Sequence, residues 1–113
     1  MSIKIDRIAS NFVKEISYIL ANEVKDSDIR FVTVTDCKVT NDLSFAKVYV
    51  TVFNQEKIDE TIKALNNAAG FIRKQLADRV EVRHIPELNF VYDESIDYGK
   101  KIENIIEQIH EED

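Results

Sequence analysis

The first pattern along the chain is a stripe of apolar residues at the spacing of an α-helix. These residues recur every three or four positions, and they are Ile8, Phe12, Val13, Ile16, Ile19, Leu20 and Val24. Asp6 precedes the stripe, and an aspartate in this position is a typical N-cap. The pattern therefore predicts a first helix that packs one broad face against the rest of the molecule and ends near the charged residues 25–30.

An alternation of apolar and polar positions follows, as in the two strands of a β-hairpin. In residues 31–40 the apolar phase changes between Val34 and Cys37, which predicts a β-bulge near Thr35. After a turn predicted at 41–42, the second strand has one wholly aliphatic face, formed by Ala46, Val48, Val50 and Val52. We expect the helices to pack on that face.

A glycine separates two further helical patterns. The first contains Ile58, Ile62, Leu65 and Ala69, and the second contains Phe71, Ile72, Leu76 and Val80. Because glycine inside a helix costs about 1 kcal/mol relative to alanine, the pattern predicts a break at Ala68, Ala69 and Gly70. A helix that starts at Phe71 would present backbone N–H groups to a phosphate, with room at Gly70 for another backbone. The alternative is that Gly70 only permits the bend.

The end of the chain adds one strand and one helix to the predicted order. A third strand is expected over residues 80–92, with Pro86 at an edge or a bulge because proline cannot donate to the ladder. Ser95 or Asp97 can start a last helix, whose apolar residues are Ile96, Ile102, Ile105, Ile106 and Ile109. The order α-β-β-α-kink-α-β-α predicts one α+β domain over residues 1–113, with a three-stranded sheet packed against helices on one face.

The net charge of −6 comes from the end of the chain. Residues 1–92 hold 13 basic and 13 acidic side chains, whereas residues 93–113 hold 2 basic and 8 acidic ones. An acidic C-terminal helix and tail therefore follow a neutral body. Near the glycine the local excess is positive, through Arg73, Lys74, Arg79 and Arg83. Four such cations can form a surface that binds phosphates, or they can simply be surface residues exposed to water.

The cysteine, the histidines and the hydropathy of the chain limit the classes of protein to which it can belong. Cys37 is the single cysteine, which excludes a disulfide within one chain and fits a small buried residue. His84 and His110 have no partner at the spacing of metal ligands, so neither a metal nor a cofactor is expected. No apolar run approaches the roughly 20 residues of a membrane span. We expect a soluble cytoplasmic protein without membrane contact.

Three separated segments resemble the bacterial ribosome-binding factor A family, whose fold is a type II KH-like domain. They are residues 41–50 (NDLSFAKVYV), 68–73 (AAGFIR) and 83–90 (RHIPELNF), within a resemblance that extends from Arg7 to Ile109. Ordinary KH domains hold nucleotides with a GXXG loop. This chain has only two glycines, Gly70 and Gly99, and so has no such loop. The family replaces the loop with an Ala-X-Gly kink, which Ala68-Ala69-Gly70 matches.

The resemblance implies a non-enzymatic assembly factor that binds free small (30S) ribosomal subunits. Such a factor assists late maturation of 16S ribosomal RNA near its 5′ end and is important in cold adaptation. Ribosomal proteins and ribosome-associated GTPases are further candidate partners, and the chain itself is expected to be a monomer. The residues that we expect to contact RNA are Arg73, Lys74, Arg79, Arg83, Gly70, Phe71, Lys4 and Arg7.

Three alternatives remain open at this point. A generic module for single-stranded RNA would need the GXXG loop and a basic domain. An adaptor could dock on a ribosomal protein through its acidic last helix. An enzyme would need a nucleophile and a base, whereas Asp36, Asp42 and Asp93 near strand ends fit turns and caps better. The chain also departs from the family, because residues 25–30 lack the proline and glycine that members commonly carry there.

Overall fold

A mixed sheet and a layer of helices form the part of the chain that the structure describes. This computed structural model describes residues 3–26, 29, 31–82 and 84–95. The elements within these residues are α1 (Ile3–Asn22), β1 (Val32–Val39), β2 (Phe45–Val52), a short 3-10 helix (Gln55–Lys57), α2 (Ile58–Asn67), α3 (Ala69–Arg79) and β3 (Glu87–Tyr92). The predicted α+β class and element order are confirmed, while the predicted last helix over residues 96–113 lies outside the described residues.

The sheet has the strand order β1-β2-β3, so β2 is the central strand. β1 and β2 are antiparallel, whereas β3 lies parallel to β2. The register between β1 and β2 shifts between Val34 and Asp36, which confirms the predicted bulge at Thr35. Because of the bulge, Val34 and Cys37 both reach the helix side of the sheet, and both are buried.

The turn between β1 and β2 is stabilised by local hydrogen bonds. The Asp42 carboxylate accepts from the backbone N–H of Ser44 at 3.0 Å and from the Thr40 hydroxyl at 2.9 Å. These bonds, the one from the Ser44 backbone first, lower the pKa of Asp42. Leu43 takes a positive φ of 62°, which completes the turn predicted at 41–42.

The core lies between the helices and one face of the sheet. On β2 the predicted aliphatic face is confirmed, because Ala46, Val48, Val50 and Val52 are all 4% exposed or less. The largest side chains buried against this face come from all three helices and β3: Phe12, Ile16, Ile19, Leu65, Ile72, Leu76 and Phe90. Burying each such side chain contributes about 1.5–3 kcal/mol, so this layer supplies most of the stability.

The predicted starts of α1 and β3 are wrong. α1 begins at Ile3, so Asp6 lies in the first turn instead of capping it, where its charge still favours the positive end of the helix. β3 begins at Glu87, and the buried Pro86 precedes the strand and interrupts no ladder. The reason is the partner strand: Glu87 pairs with Phe45, the first residue of β2, so residues before 87 have no strand beside them.

Asn66 closes the outer edge of the sheet. Its side-chain amide donates to the carbonyl of Phe90 at 3.0 Å and accepts from the N–H of Phe90 at 2.8 Å. β3 is an edge strand, and these backbone groups would otherwise be unpaired. The last turn of α2 is thereby fixed to β3.

Among the described helices, none combines the length and the apolar character that crossing a membrane requires.

Candidate nucleic-acid interface

A single residue breaks the helix between α2 and α3. Ala68 has φ −90° and ψ 0°, outside the values of a regular α-helix. Its N–H donates to the carbonyls of Ala64 and Leu65 at 3.0 and 3.1 Å, and its carbonyl accepts from the N–H of Ile72 at 2.9 Å. The predicted break is confirmed, and its backbone groups are hydrogen-bonded. Ala68 and Ala69 pack against the core, where small side chains fit.

Gly70 lies in the first turn of α3 and not before it, because α3 begins at Ala69 instead of at Phe71 as predicted. The φ of Gly70 is not positive, and a Cβ placed on it would meet no atom within 4 Å. The fold therefore needs no glycine at this position, and the bend itself occurs at Ala68. The surface in front of Gly70 is open to an approaching partner.

Phe71 and Lys74 share the outer face of α3 with Gly70. Ile72 and Leu76 are fully buried and define the inner face, whereas the ring of Phe71 is 45% exposed. Phe71 belongs to the apolar pattern of the sequence, but its ring is not part of the buried core. A helix turns by about 100° per residue, so a neighbour of Ile72 points well away from the core. Lys74 is exposed and forms no ion pair with another described residue.

Arg73, a predicted phosphate contact, is held within the fold. Its Nη2 donates to the carbonyl of Ile85 at 2.7 Å, and its Nε lies 3.1 Å from that oxygen and 3.2 Å from the carbonyl of Pro86. These bonds connect α3 to the residues that enter β3. The guanidinium is half-buried, and its main contacts are backbone carbonyls.

Arg79 joins the end of α3 to α1. Its Nε lies 2.6 Å from Oε2 of Glu15, and its guanidinium lies over the ring of Tyr18, 4.1 Å from the centroid. This ion pair is the one found among the described residues. The charge of Arg79 is therefore already neutralised, and the side chain serves the contact between the two helices.

Lys4 and Arg7 border a groove that only the folded chain creates. The groove has a volume of about 420 Å³ and lies between the start of α1 and the segment after α3; its lining residues are Lys4, Arg7, Ile8, Asn11, Phe12, Glu81 and Val82. Both cations are exposed. Arg83, the next residue after Val82 and a predicted RNA contact, lies outside the described residues.

The basic residues near the break do not form one cluster. Arg73 points toward β3, Arg79 toward α1, and Lys74 toward the outside. Because helical rotation sends adjacent residues in different directions, a local count of charges cannot show this. Among the predicted cations that the structure describes, Lys4, Arg7 and Lys74 remain open to a phosphate.

The carboxylates near the strand ends accept hydrogen bonds within the fold, and the cysteine is buried. Asp93 accepts from Ser95 and from the Thr35 hydroxyl, and these bonds, the Ser95 side chain first, lower its pKa. Asp36 accepts from the N–H of Cys37 at 2.8 Å. Burial, with the Asp36 charge, raises the pKa of Cys37 to about 12. No group of three metal-ligating side chains occurs within the described ranges.

These features define a class of protein. The helix–hairpin–helix–helix–strand order, the three-stranded mixed sheet covered on one face, and a one-residue break in place of a glycine loop are those of a type II KH-like domain. Within that class, the model of the family described as ribosome-binding factor A matches residues 4–106, and the chain belongs to this family.

Individual relatives agree with that assignment. Ribosome-binding factor A of Staphylococcus carnosus is 50% identical over 109 residues, covering 96% of this chain and 95% of the relative. The crystal structure of ribosome-binding factor A from Thermus thermophilus has a TM-score of 0.68 at 27% identity, covering 78% of this chain and 94% of that one. A homology model of the Thermus thermophilus factor, fitted into a cryo-EM map of its complex with 30S, has a TM-score of 0.65 at 24% identity and covers 76% and 91%.

Sequence reasoning missed several residues that form the site. Asn66, Glu15 and Tyr18 hold α2 and α3 in place, but their partners lie far away in the sequence. No local signal identifies them, because nothing in a single sequence tells which helix will lie beside which.

Proposed function

We propose that this protein is a ribosome assembly factor that binds the free small (30S) ribosomal subunit. In that role it assists late maturation of 16S ribosomal RNA near its 5′ end and is important in cold adaptation. The observation that carries the proposal is membership of the ribosome-binding factor A family over residues 4–106. The description of the Thermus thermophilus factor in a complex with 30S supports the choice of subunit.

The start of α3 is the proposed contact with RNA. Gly70 leaves the surface open, Phe71 exposes an aromatic ring, and Lys74 adds a positive charge near the helix start. The partial positive charge at a helix N-terminus favours a phosphate. Lys4 and Arg7 are a second proposed contact, at the groove between the start of α1 and the segment after α3, and Arg83 is proposed to add to it.

Arg73 and Arg79 contribute to this surface indirectly. Their hydrogen bonds and ion pair hold α3 against β3 and α1, so they fix the position of the residues that touch RNA. We therefore expect substitutions at these two arginines to affect stability as well as binding. A binding experiment must separate the two effects.

The proposal also covers the catalytic role, the oligomeric state, the location, the domain organisation and further partners of the protein. The protein acts without catalysis or a bound cofactor, as a monomer in the cytoplasm. Its residues 1–113 form one domain, with an acidic helix and tail over residues 93–113. That acidic end faces away from RNA or toward a basic ribosomal protein, because phosphates repel it. Ribosome-associated GTPases are candidates for promoting its release.

Co-sedimentation with purified ribosomal particles tests the proposal. Wild type is incubated with free small subunits, large subunits and full ribosomes at low and moderate salt. We expect selective, salt-sensitive binding to free small subunits. A K4Q/R7Q/K74Q variant should bind more weakly, with a salt slope lower by about 0.7–0.9 for each phosphate that the variant no longer neutralises. The matched control is K25Q/K57Q/K63Q, which removes three exposed charges elsewhere.

The outcomes separate the function from the site. Binding without selectivity for free small subunits would contradict the proposed function. Selective binding that is equal in both triple variants would keep the function but place the RNA contact away from α1 and α3.

A further inference from the structure

Within the part of the chain that the structure describes, one face of the sheet carries no helix. Along β2, the residues that alternate with the buried aliphatic ones point to this open face: Phe45, Lys47, Tyr49 and Thr51. On the neighbouring strands, Lys38 of β1 and Asn89 of β3 lie in register with Lys47. The open face thus presents aromatic and cationic side chains among polar and acidic ones.

Two lysines that form no ion pair with another described residue lie on this face, near the turn between β1 and β2. Lys38 and Lys47 lie directly opposite each other on an antiparallel pair, an arrangement that destabilises a sheet by charge repulsion. The face also carries two acidic residues, Asp36 and Glu87, on the outer strands. Neither forms an ion pair with the lysines, since the ion pair found in the described part of the chain joins α1 and α3. An anion between the two lysines would relieve the repulsion.

Exposed aromatic rings border the lysines. Lys38 Nζ lies 5.5 Å from the centroid of the Tyr49 ring, and Phe45 is 58% exposed. At one end of the face, Phe31 and Phe53 are 76% and 82% exposed, and their ring centroids lie 5.9 Å apart.

The backbone fixes the position of this pair of rings. The N–H of Phe53 donates to the carbonyl of Phe31 at 3.2 Å. Phe31 has φ 56°, a strained value for a bulky residue. Both rings are exposed to water, although folding normally buries such groups.

We propose that the open face of the sheet binds single-stranded RNA. Lys38 and Lys47 contact phosphates, while Tyr49 and the Phe31–Phe53 pair stack on bases. Aromatic platforms with adjacent cations on an exposed sheet are a general means of binding single strands. A protein partner fits less well, because charged residues are depleted in the cores of protein interfaces, and this face carries the charges of Lys38, Lys47, Asp36 and Glu87. The inference rests on the proposed function, since the strand would belong to the small subunit's RNA.

Titration of the full-length, ¹⁵N-labelled protein with a 12-nucleotide oligouridylate tests the surface directly. We expect amide resonances on the open face to shift, at Thr33, Lys38, Lys47, Tyr49 and Thr51. Shifts confined to α1 and α3, or no shifts at all, would overturn the proposal. The same spectra establish that each variant is folded.

Two variants and a control measure the contributions. K38Q/K47Q removes the proposed phosphate contacts, and K57Q/K63Q makes the same change in charge on the helix side of the molecule. F31N/F53S removes the stacking pair, and asparagine tolerates the positive φ at position 31. Since stacking is worth roughly one factor of ten per base, we expect F31N/F53S to bind oligouridylate about tenfold more weakly or worse. K38Q/K47Q should bind more weakly with a reduced salt slope, and the control should not weaken binding.

Co-sedimentation then separates this inference from the function on which it rests. If wild type fails to bind free small subunits, the proposed function fails, whatever the oligouridylate shows. If both test variants bind RNA and subunits as tightly as wild type, the open face has no role and the inference fails alone. If the variants lose subunit binding while oligouridylate leaves the face unshifted, the occupant is a ribosomal protein, and the RNA proposal is overturned.

Discussion

At the scale of single residues, the two arginines of α3 stabilise the fold and do not present their charges to a partner. Arg73 donates to two backbone carbonyls, and Arg79 pairs with Glu15 over the ring of Tyr18. Both use the planar guanidinium, which lysine could not replace. Their neighbour Lys74 has no such contact, although all three are cations in the same helix.

We predict that Arg73→Ala lowers the free energy of unfolding by about 1–3 kcal/mol, because the carbonyls of Ile85 and Pro86 lose a charged donor. Denaturation in urea, followed by circular dichroism, measures the change. Lys74→Ala is the control, and its stability should stay within about 0.5 kcal/mol of wild type. Equal stability of the two variants would show that Arg73 does not hold α3 to β3.

A second prediction concerns acid. The pKa of Asp93 is lowered by bonds from Ser95 and Thr35, so its ionised form is favoured in the folded state. Its contribution to stability is therefore complete above the ordinary carboxyl pKa of about 3.9 and is lost as the pH falls through the lowered folded value. Asp93→Asn should flatten the fall in unfolding temperature between neutral pH and acid.

The control for the acid experiment is Asp78→Asn, an exposed carboxylate in the last turn of α3. Unfolding temperature is measured over the same pH range for all three proteins. If the unfolding temperature of Asp93→Asn falls with pH as it does in wild type, while that of Asp78→Asn does not, the hydrogen bonds around Asp93 do not contribute to stability in acid.

At the scale of elements, a substitution in the first turn of α3 is expected to change stability and binding in opposite directions. We predict that Gly70→Ala raises the free energy of unfolding by about 0.5–1 kcal/mol, because the glycine is helical and its Cβ position is empty. The same change should weaken binding to small subunits, since a methyl group would occupy the proposed path of the RNA backbone.

Denaturation and co-sedimentation, measured on the same preparation, check both halves of this prediction. Ala77→Gly, on the exposed face of the same helix, is the matched control and should lose stability without losing binding. A Gly70→Ala protein that is more stable and binds as tightly as wild type would show that RNA does not approach this turn.

Elements also differ in how well the sequence predicts them. The bulge at Thr35 and the aliphatic face of β2 follow from local alternation, and both were confirmed. The predicted start of β3 was wrong, because it depends on where β2 begins. A parallel pairing has no local turn to fix its register, so the boundary is set by a partner about forty residues away.

At the scale of the whole molecule, packing decides which charges are available. The segment after α3 returns beside the start of α1, and a groove lined by Lys4 and Arg7 results. Asn66 fixes α2 to the outer edge of the sheet, and no helix among the described residues covers the other face of the sheet. The two proposed RNA-binding surfaces thus lie on different layers of one fold, the helices and the open sheet.

The sequence by itself determined the class of fold, the order of the described elements, a break within residues 68–70 and the family. Each depends on periodicity, on glycine and on short local segments, whose physics acts over a few neighbouring residues. Only the tertiary structure decided which cations are open to a partner and that Gly70 is not required by the bend. Burial and hydrogen-bond partners depend on residues brought together from distant parts of the chain, and no local pattern encodes them.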